Sequence, residues 1–146
     1  MLNDNIKVTG ELRITVTNPE GNIKQEVVIP NLVVTVGKNF IASRMKDATA
    51  TAMTHMAIGS GTTAAAVGDT TLGTELGRVA LTSTTVTTNN VAYVATFPAG
   101  TGTGAVTEAG LLNASSAGTL LCRTVFSVIN KGAADTLGIT WTVTVN

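Results

Sequence analysis

Charge is scarce in this chain: 12% of its 146 residues are charged, with nine basic and nine acidic residues in balance. That is about half the usual charged fraction. With no basic cluster, binding to nucleic acid by phosphate neutralisation is not expected. Disorder favours high net charge and low hydrophobicity, and the chain has neither. A single cysteine, Cys122, excludes an intramolecular disulfide. It lies in a strand-like run, residues 118–126, and reads as a buried, inert thiol. Aromatic residues make up 3% of the chain, too few to line a groove that stacks sugars. No basic start and apolar run marks a signal peptide in the first five residues. Residues 79–107 carry no charge, but Thr-rich and Gly-rich stretches interrupt them, so they read as two strands and not as a membrane span.

What remains is rich in Thr, Ala, Val and Gly, and its periodicity is that of strands. Leu12, Ile14 and Val16 alternate with Glu11, Arg13 and Thr15, the period-two pattern of a half-buried strand. Asn18-Pro19-Glu20-Gly21-Asn22 is a turn, and residues 23–29 form a second strand, giving an N-terminal hairpin at about 6–29. Residues 32–36 read as a strand or an extended link. Residues 37–46 are the one good helix candidate, with Phe40, Ile41 and Met45 broadly on one side. A helix this short depends on packing against a sheet. Residues 47–52 read as a loop of small residues, and residues 54–58 as a strand ending at Gly59-Ser60-Gly61. Residues 72–78 read as a helical turn or a strand entrance. Residues 79–88 and 91–97 form a hairpin across Asn89-Asn90. Strands at 105–113, 119–129 and 136–145 follow, the last alternating Ile139, Trp141, Val143 and Val145 with threonines. Closely spaced strands with turn residues between them predict a single mainly β domain over 1–146, an antiparallel β-sandwich with one short helix.

Groups that could carry catalysis are few. His55 is the only histidine. A Ser-His-Asp arrangement would need it beside Ser43 or Ser60, and neither serine sits in a nucleophile-elbow pattern. Zinc sites draw three or four ligands from Cys and His, and the chain has one of each. No calcium loop is present. Gly59-Ser60-Gly61 shares two glycines with a dinucleotide fingerprint but lacks the third and the βαβ context. Glu75 and Glu108 are the only glutamates beyond the hairpin. A glycosidase pair is one use for them. Structural ion pairing is the better one, with Arg78 reaching Glu75 or Glu108. The reading is therefore no catalytic residues, no cofactor and no metal.

From Thr54 to Arg78 the residues resemble a known family. Thr54-His55-Met56-Ala57-Ile58-Gly59-Ser60-Gly61, a small-residue loop, and Thr71-Leu72-Gly73-Thr74-Glu75-Leu76-Gly77-Arg78 are similar to the amino-terminal attachment domain of bacteriophage tail-fibre and tail-collar proteins. Glu108-Ala109-Gly110-Leu111-Leu112 and the apolar strand at 119–126 continue the likeness in the same order, and the helix at 39–44 sits where the family places one. The resemblance covers about residues 36–126. The short 62–70 loop and the hairpin before Val36 depart from the family pattern.

The resemblance implies a non-enzymatic structural protein on the exterior of a phage virion, made in the host cytoplasm. A fibre subunit or a fibre-anchoring adaptor is expected, and the lack of shaft sequence after Asn146 narrows this to a small unit. A capsid decoration protein and a host-glycan-binding module are the alternatives. The expected partners are further copies of the chain, other virion proteins and, for the glycan reading, a host surface. Low charge and a supply of strands point to association through edges. The candidate association strands carry Leu12, Ile14 and Val16, and Ile139, Trp141 and Val143.

Overall fold

The computed structural model describes residues 5–46 and 50–146. Among the described residues ten strands form two five-stranded antiparallel sheets packed face to face, with one short helix. The strands are β1 (Val8–Thr17), β2 (Ile23–Pro30), β3 (Leu32–Val33), β4 (His55–Gly59), β5 (Glu75–Ala80), β6 (Ser83–Thr87), β7 (Asn90–Phe97), β8 (Gly104–Leu112), β9 (Leu120–Lys131) and β10 (Thr136–Val145); the helix, α1, is Thr35–Ser43. One sheet has the order β2-β1-β10-β7-β6 and the other β3-β9-β8-β4-β5. The architecture is the β-sandwich that the alternation predicts.

The core lies between the sheets. Leu12, Ile14 and Val16 of β1 meet Ile139, Trp141 and Val143 of β10, with Phe97 of β7, against Met56, Ile58, Leu111 and Ile129 of the opposite sheet. All six of the candidate association residues point into this core. Their strands are interior: β1 is hydrogen-bonded to β2 and β10, and β10 to β1 and β7. The expectation that they supply free edges is therefore corrected. Period two reports which face is buried, and strand order is set by long-range pairing that no local pattern encodes.

Three expected elements shift. The helix begins at Thr35 and ends at Ser43, and Met45 in the turn beyond it is 88% exposed instead of sharing a face with Phe40 and Ile41. Gly37 is the contact that seats the helix on β9, since a Cβ there would collide with the Leu121 carbonyl. The run at 79–88 is divided at Leu81-Thr82, so that β5 ends in one sheet and β6 begins in the other. Residues 72–78 contain a strand entrance and no helical turn. The β6–β7 hairpin turns at Thr88-Asn89, with Thr88 at φ 49° and Asn90 already paired with Thr87. Of the expected loop at 47–52, residues 47–49 lie outside the described residues.

The chain crosses between the sheets at Pro30-Asn31, where Trp141 Nε1 donates to Asn31 Oδ1 at 3.1 Å. A second crossing is fixed by Lys131, which is 1% exposed and donates to the carbonyls of Pro98 and Asp135 at 2.9 and 2.8 Å. Burial pushes its ammonium pKa down, and Asp135 partly offsets this.

Because Ile14 and Ile139 face each other in register within the core, Ile14→Ala or Ile139→Ala should each destabilise by about 2–5 kcal/mol. Chemical denaturation measures this. A loss below about 0.5 kcal/mol would contradict the interior placement.

Candidate functional site

The outer face of the β9-β8-β4 sheet is not bare. Ala57, Leu112 and Leu120 form a small apolar cluster there, covered by Leu72 and Val34 and flanked by Val36. Leu72 belongs to the segment at residues 60–74, which folds over this face. Gly110 makes room for it: a Cβ there would lie 2.5 Å from Leu72 Cδ1.

Beneath the same segment lies a buried ion pair. Glu108 on β8 is 0% exposed and Arg123 on β9 is 2% exposed. Arg123 donates from Nε and Nη2 to Glu108 Oε2 at 3.0 and 2.8 Å. The carboxylate also accepts the backbone N–H of Gly61 (2.8 Å), Gly73 (2.8 Å) and Thr74 (2.7 Å). A carboxylate offers about four lone-pair sites, so these donors saturate it. Arg123 continues outward, donating to Asp69 Oδ2 at 2.7 Å and to the Thr63 carbonyl at 3.1 Å. Thr107 Oγ1 donates to the Gly61 carbonyl at 2.8 Å. Gly61 must lack a side chain, because a Cβ would sit 2.5 Å from Glu108 Oε1. The Gly59-Ser60-Gly61 turn is therefore a cradle for a carboxylate of its own chain.

The electrostatics follow from this geometry. Burial alone would raise the Glu108 pKa, but the donors from Thr74, Gly73, Arg123 and Gly61 outweigh it and hold the carboxyl below its ordinary value. Asp69 is lowered chiefly by the Ala66 N–H, with Arg123 adding to the effect against a cost of burial. Burial works against the Arg123 charge, yet Glu108 and Asp69 together raise its pKa. All three groups are held charged and paired.

The expected ion pairing is divided between two places. Arg78 reaches Glu75, at 2.7 and 3.1 Å, and not Glu108. Its Nη1 donates to the carbonyls of Ala114 and Ala117, each at 2.9 Å, tying edge strand β5 to the turn between β8 and β9. Glu108 is paired with Arg123, which sequence reasoning missed along with Asp69. A signal was present: Arg123 interrupts the apolar run Leu120-Leu121-Cys122, and a charge inside a buried strand requires a partner on a neighbouring one.

The other groups considered for chemistry are committed elsewhere. His55 is half-buried, with Nδ1 2.8 Å from Thr54 Oγ1. Ser43 Oγ donates to the Phe40 carbonyl at 2.7 Å. Ser60 lies five residues along the chain from His55, past the end of β4, too far for a hydrogen bond in extended backbone. Cys122 is fully buried, and burial raises its pKa well above the ordinary value. Among the described residues no three His, Cys, Asp or Glu side chains gather as a metal site would require. No helix of the described residues is long and apolar enough to cross a membrane. Comparisons with protein-family models, with curated proteins and with solved structures find no match.

Removing one partner of a buried pair leaves the other charge uncompensated, so Glu108→Ala should cost about 3–5 kcal/mol. Arg78→Ala, which loses two carbonyl contacts and a part-exposed pair, should cost about 1–3 kcal/mol. Glu75→Ala should cost less than about 1 kcal/mol. Urea titrations of the three variants test the order, and equal losses would refute it.

Folded-state pKa values below the unfolded ones make Glu108 and Asp69 stabilising only while they are ionised. Their contribution is complete above the unfolded value of roughly 4 and is lost as pH falls through the lower folded values. Thermal unfolding should therefore be level near neutrality and fall steeply below about pH 4. Glu108→Gln should flatten that fall, and an unchanged acid limb would place the titrating groups elsewhere.

Proposed function

We propose that this chain is a non-enzymatic structural component of a bacteriophage virion, a tail-fibre subunit or fibre-anchoring adaptor on the particle exterior that acts through subunit association. The carrying observation is convergence. The residues on which the tail-fibre resemblance rests are far apart in sequence, yet Gly59-Ser60-Gly61, Gly73 and Glu108-Ala109-Gly110 meet at one buried knot. Motifs that resemble a family's in order and also assemble into one buried contact support a likeness of architecture. The knot spends its charged groups on holding a loop, which suits a scaffold better than a reaction centre.

The charge-poor composition supports association as the mode of action. Capsid decoration would use the same properties and is the alternative location. A glycan-binding role is less well supported, since all five aromatic side chains, Phe40, Tyr93, Phe97, Phe126 and Trp141, are buried or half-buried and form no exposed stacking platform.

Immunogold labelling of purified particles with an antibody to this chain tests the proposal. Label along the tail is expected. Label over the icosahedral shell would move the protein to decoration, and expression in infected cells without any label on particles would refute a virion role.

A further inference from the structure

Sheet edges invite pairing with another chain, and folded proteins blunt them with charge, proline, bulges or short strands. Three of the four edges here are blunted. β2 carries Lys24, Glu26 and Pro30 and pairs through a register shift at Val16/Thr17. β3 is two residues long, and the β9 strand it partly covers is bulged opposite Val106 and Glu108. β5 carries Glu75 and Arg78, which are paired with each other. The fourth edge, β6, has none of these devices. Ser83-Thr84-Thr85-Val86-Thr87 is uncharged, lacks proline, is exposed at all five positions and pairs with β7 without a register shift. Val86 shares the core-facing side of its sheet through its pairing with Val91, yet it is 70% exposed. Away from the edge the outer face of this sheet remains uncharged, through Ala92 and Val94 of β7 to Thr140 and Thr142 of β10.

We infer that β6 pairs antiparallel with β6 of a second copy of this chain, about a twofold axis at Thr85, joining two five-stranded sheets into one of ten strands. The strand is self-complementary in this register. Thr85 meets Thr85, Ser83 meets Thr87 and Thr84 meets Val86, so inward residues stay inward and no charge meets its like. Each Val86 gains a Thr84 methyl as a neighbour across the axis. A partner recognised by charge has nothing to read on this edge, whereas main-chain pairing needs only a strand of matching length and face. The contact is isologous and closes at two copies, so it does not propagate into a filament. This inference rests on the reading that the protein works by association, and it names the surface used.

Light scattering coupled to size-exclusion chromatography supplies the test, with two variants. The wild type should show twice the molar mass of the chain. The double substitution Thr84→Lys with Val86→Lys places like charges across the axis and should halve that mass, with the strand signal in far-UV circular dichroism retained because both side chains are exposed in the single chain. Thr85→Cys should give a disulfide-linked dimer on mild oxidation, since directly opposed residues on antiparallel strands lie within disulfide range. Thr140→Cys, on the same face but away from the edge, should not. A wild-type oligomer that survives the double substitution, without cross-linking at position 85, would overturn the edge pairing and leave association intact. A wild-type monomer at every concentration would also overturn it, while particle labelling would decide separately whether the virion reading stands.

Discussion

The Glu108–Arg123 pair is the constraint to which much of this structure answers. Two charges withdrawn from water are tolerated only when each finds close partners. β8 and β9 supply one partner to each, and the remaining acceptor sites of Glu108 have to be filled from outside the sheet. The segment at 60–74 fills them with the N–H groups of Gly61, Gly73 and Thr74. The loop is thereby held at both ends by one carboxylate, and Asp69 and Thr63 hold its middle to the same guanidinium. Leu72 is carried into place over Ala57, Leu112 and Leu120 as a consequence. The second apolar cluster is thus coupled to the polar knot, and loss of either would release the other.

Much of the fold was legible in the sequence because strand burial is a local property. The alternation of Ile139, Trp141 and Val143 with threonines gave the limits of β10, and Leu12, Ile14 and Val16 gave the buried face of β1. Neighbour relations were not legible. Their apolar alternation also suits association edges, but pairing of β1 with β10 across more than a hundred residues places them in the interior. The helix start differed by two residues, because its position is set by the approach of Gly37 to the Leu121 carbonyl and not by its own weak apolar spacing.

The site divided in the same way. Glu75 and Arg78 are three residues apart, and proximity alone suggested their contact. Glu108 does form an ion pair, but its partner is Arg123 on the next strand and not Arg78. Finding Arg123 required the cross-strand register of Gly110 with Arg123 and of Glu108 with Val125. The Gly59-Ser60-Gly61 turn reads in the sequence as the end of a strand, and nothing local in it points to the distant carboxylate that it surrounds.

Pairing of β1 with β10 also sets an order of events during synthesis. The hairpin of β1 and β2 emerges with Leu12, Ile14 and Val16 on one face, and their in-sheet neighbours Ile139, Trp141 and Val143 emerge more than a hundred residues later. Until β10 arrives, β1 can pair with β2 alone, and its apolar face has no complete core to enter. Such non-local closure is slow and leaves hydrophobic surface open to other nascent chains. The strand at the centre of the finished sheet is therefore one that β1 must wait more than a hundred residues to meet.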